Sequence, residues 1–145
     1  MKRFAVPFLA AALALGAAAP AFAAGDLMKG RTPLDEIKLG DGQQNDYAVT
    51  NPEITLETGK GYRLPITSSG GKEYKFVAPN FFRHIWVDQI VINDLEVHMA
   101  GPPAWLEFDA EGTIEVHFTP VKTGTYEWYI EGLADKGMKG KFIVK

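Results

Sequence analysis

Between Pro52 and Lys145, apolar residues return at every second position in short runs, and each run stops at glycine, proline, asparagine or aspartate. A period of two places alternate side chains on opposite faces of an extended chain, so such runs read as half-buried strands rather than helices. Ile54 and Leu56 share one face after Pro52, and Tyr62, Leu64 and Ile66 share one beyond the turn at residues 58–61. Residues 68–71 turn the chain into Tyr74 and Phe76. Further segments follow at Ile85–Ile92, Leu95–Met99, Trp105–Phe108, Thr113–Thr119, Gly124–Ile130 and Lys139–Val144, with a weaker one at Asp46–Thr50. In the strand from Thr113, Ile114, Val116 and Phe118 are expected to point inward and Glu115, His117 and Thr119 outward, which makes His117 a surface residue. Ala134–Met138 has room for one helical turn at most. Strands at this spacing, with turn residues between them, predict an all-β fold, a sandwich or a barrel.

Upstream, Lys2 and Arg3 precede an Ala/Leu-rich run over residues 4–19, followed by Ala21, Phe22 and Ala23. A basic start, an apolar middle and small residues before a cleavable bond predict a secretory signal peptide over 1–23. The run falls short of the roughly 20 apolar residues that span a bilayer, and Pro7 interrupts it. The expected product is exported and periplasmic, with no membrane span after cleavage. An arm without sustained period is expected over 24–45, and one domain over 46–145. Cleavage would move the net charge from −3 to −5, because Lys2 and Arg3 leave with no acidic residue. A mildly acidic, evenly mixed surface argues against nucleic acid as a partner. The sequence has no cysteine, so export brings no disulfide and the fold must hold by burial.

The residues from Gly124 to Lys145 run as an aromatic strand, a short loop, Gly137-Met138-Lys139-Gly140 and a second alternating strand. This ending resembles that of the cupredoxins, the small blue-copper proteins, as do the strand pair after Pro52 and the turn at residues 119–126. The resemblance covers roughly 52–145 and implies a Greek-key β-sandwich. In that family the loop supplies a cysteine, a histidine and a methionine to one copper. Here those positions read Ile130, Leu133 and Met138, and the position of the first copper histidine reads Tyr74. A blue-copper site needs a thiolate and two imidazoles, with methionine only a weak axial ligand, so type 1 copper is excluded. The segment 73–82 is more similar to the EfeO-type cupredoxin-like domains of periplasmic metal-handling proteins, a resemblance that implies copper or iron.

Candidate ligands for a non-blue site follow from side-chain chemistry. Imidazole and thioether suit copper, which singles out the neighbours His98 and Met99, with His84 as a third donor. Neighbours on a strand point to opposite faces, so His98 and Met99 could share an ion only if the chain bends before Gly101. At the former copper end, Tyr74, Glu131, Asp135 and Met138 could converge, an oxygen-rich set that suits ferric iron better than Cu(I). Hydrocarbon from Ile130 and Leu133 filling that end is the competing expectation. The remaining carboxylates show no pairing suited to acid–base catalysis, and Ser68 and Ser69 have no base within sequence reach. Phe81 and Phe82, in an expected loop beside Arg83, offer a docking aromatic if one is exposed.

The expectation is a non-enzymatic periplasmic protein that holds copper or iron for a membrane transporter or metalloenzyme, with ferroxidase activity left open. The alternative is a metal-free interaction or assembly subunit on the same frame.

Overall fold

The structure is a computed structural model that describes residues 30–145; the expected signal peptide and the first residues of the expected arm, 24–29, lie outside the described residues. In chain order the strands are β1 (Thr32–Pro33), β2 (Ile37–Leu39), β3 (Glu53–Leu56), β4 (Tyr62–Ser68), β5 (Tyr74–Val77), β6 (Ile85–Ile92), β7 (Leu95–His98), β8 (Leu106–Phe108), β9 (Gly112–Pro120), β10 (Gly124–Ile130) and β11 (Lys139–Val144). A one-turn helix α1 (Pro79–Phe82) joins β5 to β6, and a single 3-10 turn (Ala134–Lys136) precedes β11. They form two sheets, ordered β1-β4-β9-β6-β7, with β2 also on β4, and β3-β11-β10-β5-β8. Packed face to face, the sheets make the all-β sandwich, one of the two folds, sandwich or barrel, that the alternation called for.

The alternation does its work strand by strand. Tyr62, Leu64 and Ile66 of β4 are buried and Arg63 is exposed, and Tyr126, Trp128 and Ile130 of β10 are buried between exposed neighbours. Aromatic rings fill the space between the sheets: Phe76 stacks on Trp128 at 5.0 Å and Phe81 on Phe142 at 4.0 Å. Phe81 and Phe82 are both buried, so neither is a docking aromatic. Pro79 opens α1, where its fixed φ suits a first helical turn, and that turn rolls both rings into the core.

The structure corrects three further expectations. The segment read as an arm is, from Thr32 onward, part of the sandwich: β1 and β2 pair in parallel with β4, and Ile37 and Leu39 are wholly buried. Two short strands broken by Pro33 and Asp35 leave no run long enough to show a period. Asp46–Thr50 forms no strand, only a bridge from Val49 to Leu39. His117 is buried, not a surface residue, with Nε2 2.5 Å from Glu115 Oε1. It sits on β9, central in its sheet, between Arg63 of β4 and Gln89 of β6, and Arg31 ahead of β1 pairs with Asp88 on β6.

Candidate functional site

The pole where β5 starts and β10 ends gathers the four positions singled out by their resemblance to copper ligands. β5 and β10 are antiparallel, with Phe76 opposite Ile130, and Glu131 N–H donates to the Lys75 carbonyl at 3.0 Å. The loop then folds back on itself. Leu133 N–H donates to Ile130 O at 3.0 Å, Met138 N–H to Leu133 O at 3.3 Å, and Ile130 N–H to Met138 O at 2.9 Å. Gly137, at φ 94°, takes the left-handed conformation that ends the 3-10 turn and swings Met138 inward. Tyr74, Ile130 and Met138 are fully buried, and Leu133 is partly buried against the same core.

The chemistry of this pole is that of a core. Ile130 and Leu133 offer hydrocarbon, and no thiol stands anywhere in the chain. The Tyr74 hydroxyl is already committed: it donates to the Asp46 carbonyl at 2.8 Å, across the pole. Burial is the main cause that pushes the phenol's pKa up from its ordinary value. A raised phenol pKa opposes phenolate and therefore opposes metal ligation by oxygen. Type 1 copper does not fit the residues present.

Linkage sets the alkaline behaviour. Tyr74 keeps its proton more tightly in the folded state, so its contribution to stability is intact below the unfolded value of about 10 and is lost as pH climbs from there through the raised folded value. Tyr74→Phe should cost about 1 kcal/mol at neutral pH through the lost hydrogen bond, and should flatten the decline above pH ~10. Chemical denaturation of both proteins across the alkaline range reads the two effects. An unchanged slope in the variant would show that other groups govern it.

The remaining candidates do not join into one site. Glu131 turns outward to Lys75, with Oε2 2.8 Å from Nζ, and Asp135 is exposed, so neither converges on Tyr74 and Met138. The bond to Glu131 raises the Lys75 pKa. His84 lies at the other end of β10: its ring stacks on Tyr126 at 5.3 Å and Nδ1 is 2.7 Å from Asn80 O. His98 is exposed, 3.3 Å from Glu96 Oε2, and pairs with Gln89. Gln89 is five residues along β6 from His84, roughly 16 Å at the rise of a strand. Met99 packs against the core while His98 faces solvent, the opposite-faces arrangement of strand neighbours. His98, Met99 and His84 are thus separate.

Among the described residues, one group of three acidic or imidazole side chains can bring ligand atoms within 4.8 Å of one another: Glu73, Glu107 and Asp109, all exposed. The pairing of β5 with β8 assembles it, setting Tyr74 against Phe108 and Lys75 against Glu107. Sequence reasoning missed this group because its members are 34 residues apart and only the strand pairing joins them. Outward parity was the sole available signal. Glu107 already accepts from Trp105 Nε1 at 2.9 Å, and Lys75 lies over the Trp105 ring at 4.6 Å.

A scan of protein-family models and a search of curated proteins each give no match. Solved structures do match, at the level of fold. A multicopper oxidase from Campylobacter jejuni, described as a metallo-oxidase, aligns with a TM-score of 0.55 and 12% identity over 81% of this chain and 31% of its own. One from Pediococcus acidilactici gives 0.56 and 14% identity over 81% and 27%. A blue copper oxidase from Nitrosomonas europaea gives 0.52 and 10% identity over 75% and 42%. The chain spans about a third of the length of the oxidases it matches. It has the cupredoxin fold, which is what likeness at this identity shows. No helix among the described residues is long and apolar enough to cross a membrane.

Proposed function

We propose that this is an exported, non-enzymatic protein that uses the cupredoxin frame as an interaction module, presenting surface to a partner with its former metal pole packed shut. The observation that carries this reading is the fully buried set Tyr74, Ile130 and Met138, with the phenol hydrogen-bonded across the pole. A side chain committed to the core and to a backbone carbonyl contributes to stability where a ligand would have to remain free. Export to the periplasm rests on the predicted signal peptide.

The second reading is a protein of the EfeO-type, metal-handling kind, which holds copper or iron for a transporter or metalloenzyme. The carboxylates of Glu73, Glu107 and Asp109 favour it, and three oxygen donors suit a hard ion such as ferric iron better than Cu(I). Metal analysis after dialysis against copper or iron separates the two, with Trp fluorescence followed during titration. The interaction reading expects no retained stoichiometric metal. Retention that is lost in Glu107→Gln overturns it and establishes the second.

A further inference from the structure

Strand β7 is the outermost strand of its sheet, and its four residues are all exposed. Leu95 and Val97 lie on the core-facing side, since Val97 pairs with the buried Ile90, yet they are 71% and 49% exposed. Ile92 beside them is exposed as well, and Met99 is only partly buried. The core surface of the sheet therefore continues past the edge of the sandwich as an uncovered apolar strip.

Edge strands are usually blunted by lysine, proline or a bulge. Here β7 has none of these; it reads Leu95-Glu96-Val97-His98. A hairpin turn at Asn93 and Asp94, both at positive φ, holds it in register with β6. Met99 N–H donates inward to Asp88 O, so by the alternation of an antiparallel ladder the N–H groups of Leu95 and Val97 also face β6. Those of Glu96 and His98 face outward, where among the described residues nothing pairs with them.

We propose that β7 is a homodimer interface at which a second copy of the chain adds its own β7 antiparallel, about a two-fold axis at Val97. This inference rests on the reading that the protein works through its surface, and it names the partner. Polar complementarity singles out the register. With Val97 opposite Val97 of the second copy, each Glu96 faces a His98 and each Leu95 faces a Met99. Glu96 and His98 also carry the outward N–H and C=O groups, so the same two residues form the backbone bonds and the carboxylate–imidazole contacts. An imidazole N–H directly opposite a carboxylate can donate to it, whereas a register centred on Glu96 would set two carboxylates against each other and destabilise the ladder. The other face joins the two apolar strips into one covered surface.

Sedimentation equilibrium of the purified protein tests this. A reversible monomer–dimer equilibrium is expected. Val97→Lys should abolish it by setting two lysines against each other at the axis. Glu96→Lys, on a fully exposed strand, should raise the dissociation constant about tenfold, and adding His98→Glu should restore it by exchanging the charges. A wild-type protein that stays monomeric at every concentration overturns the interface. So does a double variant no tighter than Glu96→Lys alone, because that removes the register. Either result leaves the packed pole untouched, which the metal-retention measurement decides separately.

Discussion

Replacing Gly140 by alanine, the addition of one methyl group, should destabilise the protein by about 3 kcal/mol, near the upper end for overpacking a filled core. Gly140 lies in β11 opposite Trp128, and a Cβ there would overlap the Pro52 carbonyl oxygen and come within 2.6 Å of Trp128 Cζ2. Trp128 is wholly buried and stacked on Phe76. The Pro52 carbonyl accepts from Lys141 N–H at 2.8 Å, the bond that starts the parallel pairing of β3 with β11. The methyl group therefore sets the central core ring against the pairing of an edge strand. Thermal melting should fall by roughly 10–15 °C for a domain of this size. A fall of a degree or two would mean that β3 detaches easily and contributes little. Gly112, a strand glycine of β9 with open space at its Cβ and no positive φ, is the matched control.

Gly140 also marks where sequence reading stops. As sequence, Gly137 and Gly140 look alike, two turn residues around Met138. Gly137 is one, at φ 94°; Gly140 is a strand residue kept small by a ring and a carbonyl from elsewhere in the chain. The local signal was the same and the cause was tertiary. Ile37 and Leu39 were hidden for a related reason. Their strand is three residues long, too short to show a period, and its burial comes from lying along β4. By contrast β4, β6, β9, β10 and β11 were legible because each carries several alternations, and their inner faces are the core. His117 was misplaced because parity gives the face of a sheet and not whether that face is covered. Glu115 against its ring and the flanking strands β4 and β6 enclose it. Of the candidate site, the gathering of Tyr74, Ile130, Leu133 and Met138 at one pole followed from resemblance. The dispersal of His84 and His98 and the grouping of Glu73 with Glu107 and Asp109 depended on strand pairings that no spacing in the chain records.

If that pole retains the geometry of a copper site while lacking its donors, Tyr74→His, Ile130→Cys and Leu133→His together should produce a protein that binds Cu(II) and turns blue. The reasoning is stepwise. Met138 is already fully buried, at the position of a weak axial thioether in the resemblance. The backbone bonds that close the loop, Ile130 N–H to Met138 O and Met138 N–H to Leu133 O, involve no side chain and survive all three changes. A thiolate at 130 and imidazoles at 74 and 133 then supply the trigonal set whose short copper–sulfur bond gives the colour. Without metal the variant should be less stable than the parent by several kcal/mol, since it exchanges a buried isoleucine, a partly buried leucine and a hydrogen-bonded phenol for polar groups with no partners. Copper should restore stability as its free concentration rises above the dissociation constant, because the assembled site of the folded state binds it more tightly than the unfolded chain does. Ile130→Cys by itself should stay colourless, with a phenol and an alkyl group where the imidazoles belong. Visible absorption and copper-dependent melting of the triple variant measure both effects. Copper bound without blue colour, or no rise in melting temperature, would show that positions 74, 130 and 133 do not converge closely enough for one ion and that the pole has relaxed into an ordinary core.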